Sequence, residues 1–381
     1  GRPARAGNGD YSRTGGTGGD AVMARLGDVC KKGTSNIAQK DLEGHSGIYP
    51  IYGASGFITN VDFYQQENSY IAVVKDGAGI GRIMKLPAKS SVIGTMQYII
   101  PNDTVDISYL AYAMEHMNLS KYFTGATIPH IYFKDYQKEE LPLPSLDEQR
   151  KIAAVLDKVS SLIAKRRQQL DKLDELIKAR FVEMFGGIHN SLDFPYLPIK
   201  DFTSVISGGT PDRNSPRYWN SGEIKWVKTT ELQNKAINDT EEKITREGLE
   251  NSSAKMVPAN TILIAMYGQG KTRGMTGYLS VEASTNQACA CILPSQKINQ
   301  KYLWQYMILS YEKLRSLAKG GNQPNLNGAM IKNFPVLVPP IELQNQFAAF
   351  VEQTEKTKTA ISKSLEKLET LKKALMQKYF G

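Results

Sequence analysis

The chain has 381 residues, enough for two or three domains; 41% hydrophobic and 22% charged residues are ordinary globular usage and exclude wholesale disorder and a collagen-like fold. No apolar run approaches the ~18 residues of a membrane span, which predicts a soluble protein. Lys and Arg outnumber Asp and Glu by 47 to 38, a net charge of +9, and such an excess favours a polyanionic partner because phosphate contacts release counterions.

Residues 1–22 are rich in Gly, Arg, Ser and Thr, with little to bury and no apolar stretch of a secretory signal. They are expected to be a leader that is disordered or derived from expression. Residues 23–145 form a first globular domain. It carries short β-branched runs, Tyr70-Ile-Ala-Val-Val74 and Ser91-Val-Ile-Gly-Thr95, separated by turn residues, and one helical pattern over 107–119. Residues 146–186 predict a long helix: from Asp147 to Phe185 there is no proline or glycine, and Gly186-Gly187 is the stop signal. Apolar residues recur at spacings of three and four, at Ile152, Leu156, Val159, Ile163, Leu170, Leu173 and Ile177, interrupted by Arg166 and Arg180.

Residues 187–340 are a second strand-rich domain, with Thr261-Ile-Leu-Ile-Ala265 as its clearest strand and a helical pattern over 301–317. Residues 341–381 are a second long helix with a seam of Phe347, Val351, Ile361, Leu365, Leu368 and Leu375. Its polar layers, at Thr354, Lys358 and Lys372, fall elsewhere than those of the first. A helix of roughly 38 residues spans on the order of 57 Å. Neither can hide so long a seam against its own small domain, so the two are expected to pair. Cys30, Cys289 and Cys291 cannot build a disulfide framework and read as core packing in a reducing compartment, expected to be the cytoplasm.

The long helices belong to an internal repeat. Adding 195 to positions 125–186 gives 320–381 without a gap. Gly125 maps to Gly320, Pro129 to Pro324, Pro144 to Pro339, Gln149 to Gln344 and Phe185-Gly186 to Phe380-Gly381. The preceding globular parts align only loosely. The glycine-rich run Lys75-Asp-Gly-Ala-Gly-Ile-Gly-Arg82 corresponds to Met266-Tyr-Gly-Gln-Gly-Lys-Thr-Arg-Gly274, and Thr95-Met-Gln97 to Thr285-Asn-Gln287. The expected fold is α+β: two copies of a strand-rich domain followed by a long helix.

Two catalytic motifs fail on context. Ala265-Met-Tyr-Gly-Gln-Gly-Lys-Thr272 fits a relaxed phosphate loop, which must open a helix at Lys-Thr. Here Arg273-Gly-Met-Thr-Gly277 follows, and the first copy lacks the lysine. Pro211-Asp212 with Glu241-Glu242-Lys243 imitates a metal-dependent nuclease signature, but both segments read as loops without a counterpart in the other copy. The four histidines show no metal-ligand spacing. Neither a catalytic centre nor a metal site is expected.

What remains is a binding signature. Lys75 and Arg82 flank the first glycine turn, and Tyr267, Lys271 and Arg273 surround the second. Thr210, Arg213, Arg217, Lys225 and Lys228 lie among Tyr218, Trp219 and Trp226. Arg and Lys reach guanine edges, and hydroxyls serve phosphates; equally, the tryptophans can be core and the charges simply solvated.

Four features together resemble the specificity subunit of a type I restriction–modification enzyme. They are Tyr49-Pro-Ile-Tyr52-Gly-Ala-Ser-Gly56; Ser207-Gly-Gly-Thr-Pro211 with Tyr218-Trp219 and Trp226-Val-Lys-Thr229; the runs Gly125-Ala-Thr-Ile-Pro129 and Gly320-Gly-Asn-Gln-Pro324; and Leu141-Pro-Leu-Pro144-Ser-Leu-Asp-Glu-Gln149, echoed by Val338-Pro-Pro340-Ile-Glu-Leu-Gln344. The second echo departs by placing Leu343 directly before Gln344, where the family has an acidic residue. The resemblance implies two target recognition domains, each reading half of a bipartite duplex DNA target, and an antiparallel helix pair as spacer. It also implies two adenine methyltransferase subunits carrying S-adenosylmethionine and restriction subunits using ATP and magnesium, with no cofactor in this chain. Two other readings stay open: a coiled-coil scaffold joining protein-binding domains, and a nuclease or NTPase.

Overall fold

The computed structural model of the chain describes residues 22–125, 129–188, 194–268, 270–318 and 325–381. The leader reading, but for Val22, and most of the Gly125–Pro129 and Gly320–Pro324 runs lie outside the described residues. The chain divides into two compact units, residues 1–168 with 362–381, and residues 169–361. Each unit is a strand-rich domain together with part of both long helices. The boundary therefore cuts across the helices, where the sequence suggested one helix per domain.

In unit 1 a four-stranded antiparallel sheet runs in the order Cys30–Thr34, Met96–Pro101, Tyr70–Val74, Ile83–Leu86. Tyr70–Val74 is buried at every position. A strand covered on both faces reads as a continuous apolar run, and this one does. A three-stranded sheet of Gly56–Val61, Tyr49–Gly53 and Ser91–Val92 lies beside it, the last pair parallel. Helix Ile107–Met117 is capped by Asp106, whose side chain accepts from the amides of Ser108 and Tyr109, and ends at Asn118 in the left-handed region, φ 51°.

Unit 2 repeats this plan with insertions. A five-stranded sheet has the order Val205–Ser207, Cys289–Ile292, Ile262–Ala265, Thr276–Leu279, Lys235–Ile237. A four-stranded sheet has the order Glu242–Ile244, Ile224–Val227, Ala283–Thr285, Met256–Val257. Cys289 and Cys291 are free and buried in this core, and burial pushes the Cys291 thiol up to about 11, as packing groups require. The Glu241-Glu242-Lys243 segment, expected to be a loop, is partly strand. Glu242–Ile244 pairs antiparallel with Ile224–Val227; Ile244 faces the core, and the charged residues sit on an edge strand, where they discourage further pairing.

The repeat reaches further back than sequence alignment carries it. Asn299 caps helix Gln300–Leu309 by accepting from Lys301 and Tyr302, as Asp106 does for its own helix. Tyr109 donates its hydroxyl to the Pro142 carbonyl at 2.8 Å, and Tyr302 donates to Leu337 at 2.9 Å. Strand Val22–Arg25 pairs with Glu140–Leu143, and Tyr196–Pro198 with Pro335–Leu337.

The long helices are Leu146–Phe185 and Ile341–Phe380, 40 residues each. Within unit 1 the start of the first meets the end of the second: Arg167 donates to Glu369 at 2.6 Å, and Met376 joins Ile152 and Leu156 in the core. Within unit 2 the end of the first meets the start of the second. Lys358 donates to Asp174 at 2.7 Å, and Phe181 and Phe185 lie against Phe347 with ring centroids 5.5 and 5.6 Å apart. In both units the helices are antiparallel. Ile152, Leu156, Val159, Ile163, Ile177, Phe347 and Val351 are buried, while Leu170, Leu173, Ile361, Leu365, Leu368 and Leu375 are half-buried. The polar layer at Lys358 is satisfied by Asp174 and Glu355. Burial pulls its ammonium down, but the two carboxylates outweigh burial and hold it above the usual lysine range. Thr354 turns its hydroxyl back to the Phe350 carbonyl at 2.9 Å, which lets a polar residue sit buried in the seam.

Each domain is thus closed by the start of its own helix and the end of the other. Phe380 meets Tyr109 at 5.1 Å in unit 1; its repeat partner Phe185 meets Tyr302 at 5.5 Å in unit 2. Burying a side chain of this size is worth roughly 1.5–3 kcal/mol, so the helix termini are part of both cores.

Candidate nucleic-acid interface

The glycine turns sit at equivalent places. Each follows an inner strand of its sheet, Tyr70–Val74 or Ile262–Ala265, and each is tied beneath by the same bond: Ile131 N–H to the Lys75 carbonyl, and Leu326 N–H to that of Met266, both 3.0 Å. Left-handed backbone at Gly77, Gly79 and Gly81, and at Gly268, Gly270 and Gly274, lets both turns fold tightly. At Gly81 only glycine fits, because a Cβ would stand 2.5 Å from the Ser120 nitrogen.

Strand Thr276–Leu279 follows the second turn, so Lys271-Thr272 opens no helix and the phosphate-loop geometry is absent among the described residues. Lys271 and Tyr267 are exposed, and Arg273 is half-buried. The turn is braced from behind: Tyr311 donates its hydroxyl to the Lys271 carbonyl at 2.8 Å and Arg315 donates to that of Arg273 at 2.7 Å. Thr210 lies beside the Thr285–Gln287 turn, with its hydroxyl on the Gln287 amide oxygen. That segment is threaded by glycine: Gly209 N–H bonds the Thr285 carbonyl at 2.9 Å, and a Cβ on Gly208 would meet Thr285 at 2.1 Å.

In unit 1, Lys75 is half-buried and stands 3.5 Å from Asp76, which also binds His130. Arg82 is exposed; its Nη1 donates to the Ala54 carbonyl at 2.7 Å, and no carboxylate pairs with it among the described residues.

The other four basic candidates are differently placed. Arg213 stacks over Trp219 and Trp226, 3.9 and 4.6 Å from the ring centres, and pairs with Glu242. Lys228 bonds Glu241 and Glu242 at 2.8 and 3.0 Å; Arg217 faces Glu247 at 3.3 Å and Lys225 faces Asp239 at 3.6 Å. Burial alone raises the Glu242 carboxyl, yet Arg213 and Lys228 hold it below the usual range. Trp226 is 1% exposed, with its indole N–H on the Gly209 carbonyl at 2.9 Å, so it is core. Such guanidinium–indole stacking between paired charges is a clamp holding the edge strand to the Ser207–Pro211 segment.

Sequence reading passed over exposed aromatics on the segments that meet the first glycine turn through Ala54, Ser120 and Ile131. Phe57 and Phe123 are 59% and 61% exposed, and Tyr132 is 47% exposed with Lys134 5.2 Å from its ring centre. The only sequence signal was a lone aromatic at a turn, which commonly means core. Also missed was the paired role of Gln149 and Gln344, both buried, whose amides reach the caps of the preceding helices. Their match in the repeat was the available clue. No cluster of three or more His, Cys, Asp or Glu side chains able to hold a metal occurs among the described residues, and no described helix is long and apolar enough to cross a membrane.

The sequence pattern of the type I restriction modification DNA specificity domain matches residues 19–175 and again 193–373. The chain belongs to this family and carries its domain twice, the arrangement of a specificity subunit with two target recognition domains. It is 24% identical over 289 residues to the EcoR124I/EcoR124II specificity subunit of Escherichia coli, covering 73% of this chain and 70% of that protein. It is 25% identical to the MjaVIII specificity subunit of Methanocaldococcus jannaschii, covering 94% and 91%. The fold is similar to the crystal structure of a type I restriction–modification S subunit from M. genitalium, with a TM-score of 0.61, 15% identity, and 96% and 98% of the two chains covered.

Proposed function

We propose that each unit reads one half of a bipartite, gapped duplex DNA target through its glycine turn, while the paired helices set the gap and dock two adenine methyltransferase subunits. The observation that carries this reading is the duplicated strand-and-turn framework bearing different side chains: Gly77-Ala-Gly-Ile-Gly81-Arg82 in one unit, Tyr267 to Gly274 in the other. One framework with two sets of polar groups suits two half-sites of different sequence. Arg82, Tyr267, Lys271 and Arg273 are the groups assigned to DNA, with Thr210 beside them. Lys75, Arg213, Arg217, Lys225 and Lys228 act on DNA only where their present carboxylate partners yield.

On this reading the chain is not itself an enzyme and holds no cofactor. Its methyltransferase partners bind S-adenosylmethionine, and restriction/translocase subunits in the full assembly use ATP and magnesium. The complex works in the cytoplasm. Selection from a random duplex pool, using the complex that co-purifies with the chain from its own host, tests the reading. Two short motifs at a fixed gap are expected. One ungapped motif would mean a single reader, and no enrichment from an intact complex would favour the protein-binding scaffold.

A further inference from the structure

Three segments of unit 1 converge around Arg82. The hairpin between Tyr49–Gly53 and Gly56–Val61 presents Ala54, whose carbonyl accepts from the guanidinium. Arg82 folds back over its own turn, so that a Cβ on Gly79 would stand 3.1 Å from Nη2. Ser120 packs against Gly81, and Phe123 N–H bonds the Ser120 carbonyl at 3.1 Å. Thr124 and His130 exchange backbone hydrogen bonds of 2.8 and 2.9 Å, and the His130 ring lies 4.1 Å from that of Tyr132.

Two features of this surface call for a ligand. Phe57 and Phe123 leave most of their surface to water, an arrangement that favours coverage by a partner. Phe57 is held in place rather than loose: it pairs across the hairpin with Tyr52, ring centroids 6.1 Å apart. Arg82 is pre-oriented by one bond while its other N–H groups stay open, so fixing it on a ligand costs little further side-chain entropy. The cationic groups here are Arg82, unpaired by any described carboxylate, and Lys134 at Tyr132; Asp76 is taken up by Lys75 and His130, and Glu139 by Lys121 and Tyr122. A cationic surface edged by phenyl rings fits the major groove, where guanine offers two acceptors and thymine a methyl group.

We propose that Phe57 and Phe123 contact thymine methyl groups, and Arg82 a guanine, in the half-site read by unit 1. This rests on the two-reader function above. The test uses the complex carrying the full chain, first with the wild-type sequence to define the target. Binding is then measured on duplexes in which single thymines are replaced by deoxyuridine, or single guanines by 7-deazaguanine. Wild type is expected to lose about fourfold for a contacted methyl and about tenfold or more at the guanine. Phe57→Ser and Phe123→Ser each lose the penalty at one thymine, and Phe57→Leu, still apolar, keeps it. Arg82→Ala loses the 7-deazaguanine penalty in the same half-site. The three positions are exposed, and unchanged melting confirms that folding is not the cause.

If the wild-type complex selects a two-part motif but every variant retains all penalties, or the variants affect different half-sites, the proposal is overturned while the two-reader function stands. A half-site without thymine overturns it equally. If wild type selects no two-part motif, both fail. Loss of complex assembly in Phe57→Ser, with intact folding, would make the patch a protein interface instead.

Discussion

Gln149 and Gln344 offer the sharpest test of how the repeat is held together. Gln149 is fully buried. Its Oε1 accepts from the Asp106 amide at 2.8 Å, and its Nε2 donates to the carbonyls of Thr104 and Pro144 at 3.1 and 2.9 Å. It ties the first turn of the long helix to the cap of Ile107–Met117. Gln344 makes the equivalent link with two bonds, accepting from Asn299 at 2.9 Å and donating to Pro339 at 2.7 Å. Replacing Gln149 with alanine removes three hydrogen bonds to backbone groups of half-buried or exposed residues, at about 1 kcal/mol each, and buried methylenes worth about another 1. The expected loss is about 4 kcal/mol for Gln149→Ala and about 3 for Gln344→Ala.

Two units need not unfold together, so the assay is amide hydrogen exchange read separately over Asp106–Met117 and Asn299–Leu309. Each 1.4 kcal/mol is a tenfold change in protection; Gln149→Ala should accelerate exchange in the first stretch by two to three orders of magnitude and spare the second. Gln149→Glu should do no better, because a carboxylate cannot donate to two carbonyls. Unchanged protection at Asp106, or equal effects on both stretches, would refute the reasoning.

Three further outcomes are expected. Lys271→Ala should weaken binding at one half-site only and reduce the salt slope by about one phosphate contact; equal weakening at both half-sites counts against two independent readers. Removing one heptad from each long helix shortens both by about 10 Å and should narrow the preferred gap by about three base pairs, so a constant gap in pool selection would show that the helices are not the ruler. The third concerns pH. Because Arg213 and Lys228 hold the Glu242 carboxyl below its usual range, its contribution is complete above that range and is lost as pH falls through the depressed value. Trp219 and Trp226 emission should report this acid step, and Glu242→Gln should abolish it; an unchanged step in the variant would assign it to another group.

The sequence by itself determined the two long helices, because a three-four apolar spacing without proline or glycine permits little else over forty residues. It also determined the duplication, since Pro144, Gln149 and Phe185 recur 195 residues later under the same packing demands. Strands such as Tyr70–Val74 were legible for a similar reason: full burial writes a continuous apolar run. Charged strands were not. Glu242–Ile244 lacks that signature, because its acidic residue is neutralised by Arg213 and Lys228, one of them 29 residues away.

Tertiary structure alone decided which basic residues remain open. Arg82 and Arg213 look equivalent in the chain, yet one is held by a backbone carbonyl at a domain surface and the other lies between two indoles and a carboxylate. It alone decided the exchange of helix ends as well, in which Phe185 and Phe380 each complete the core of the domain that follows or begins the chain rather than the one before them. Local patterns record how much of a side chain must be buried; the partner that buries it, or neutralises it, is chosen by contacts between residues far apart in sequence.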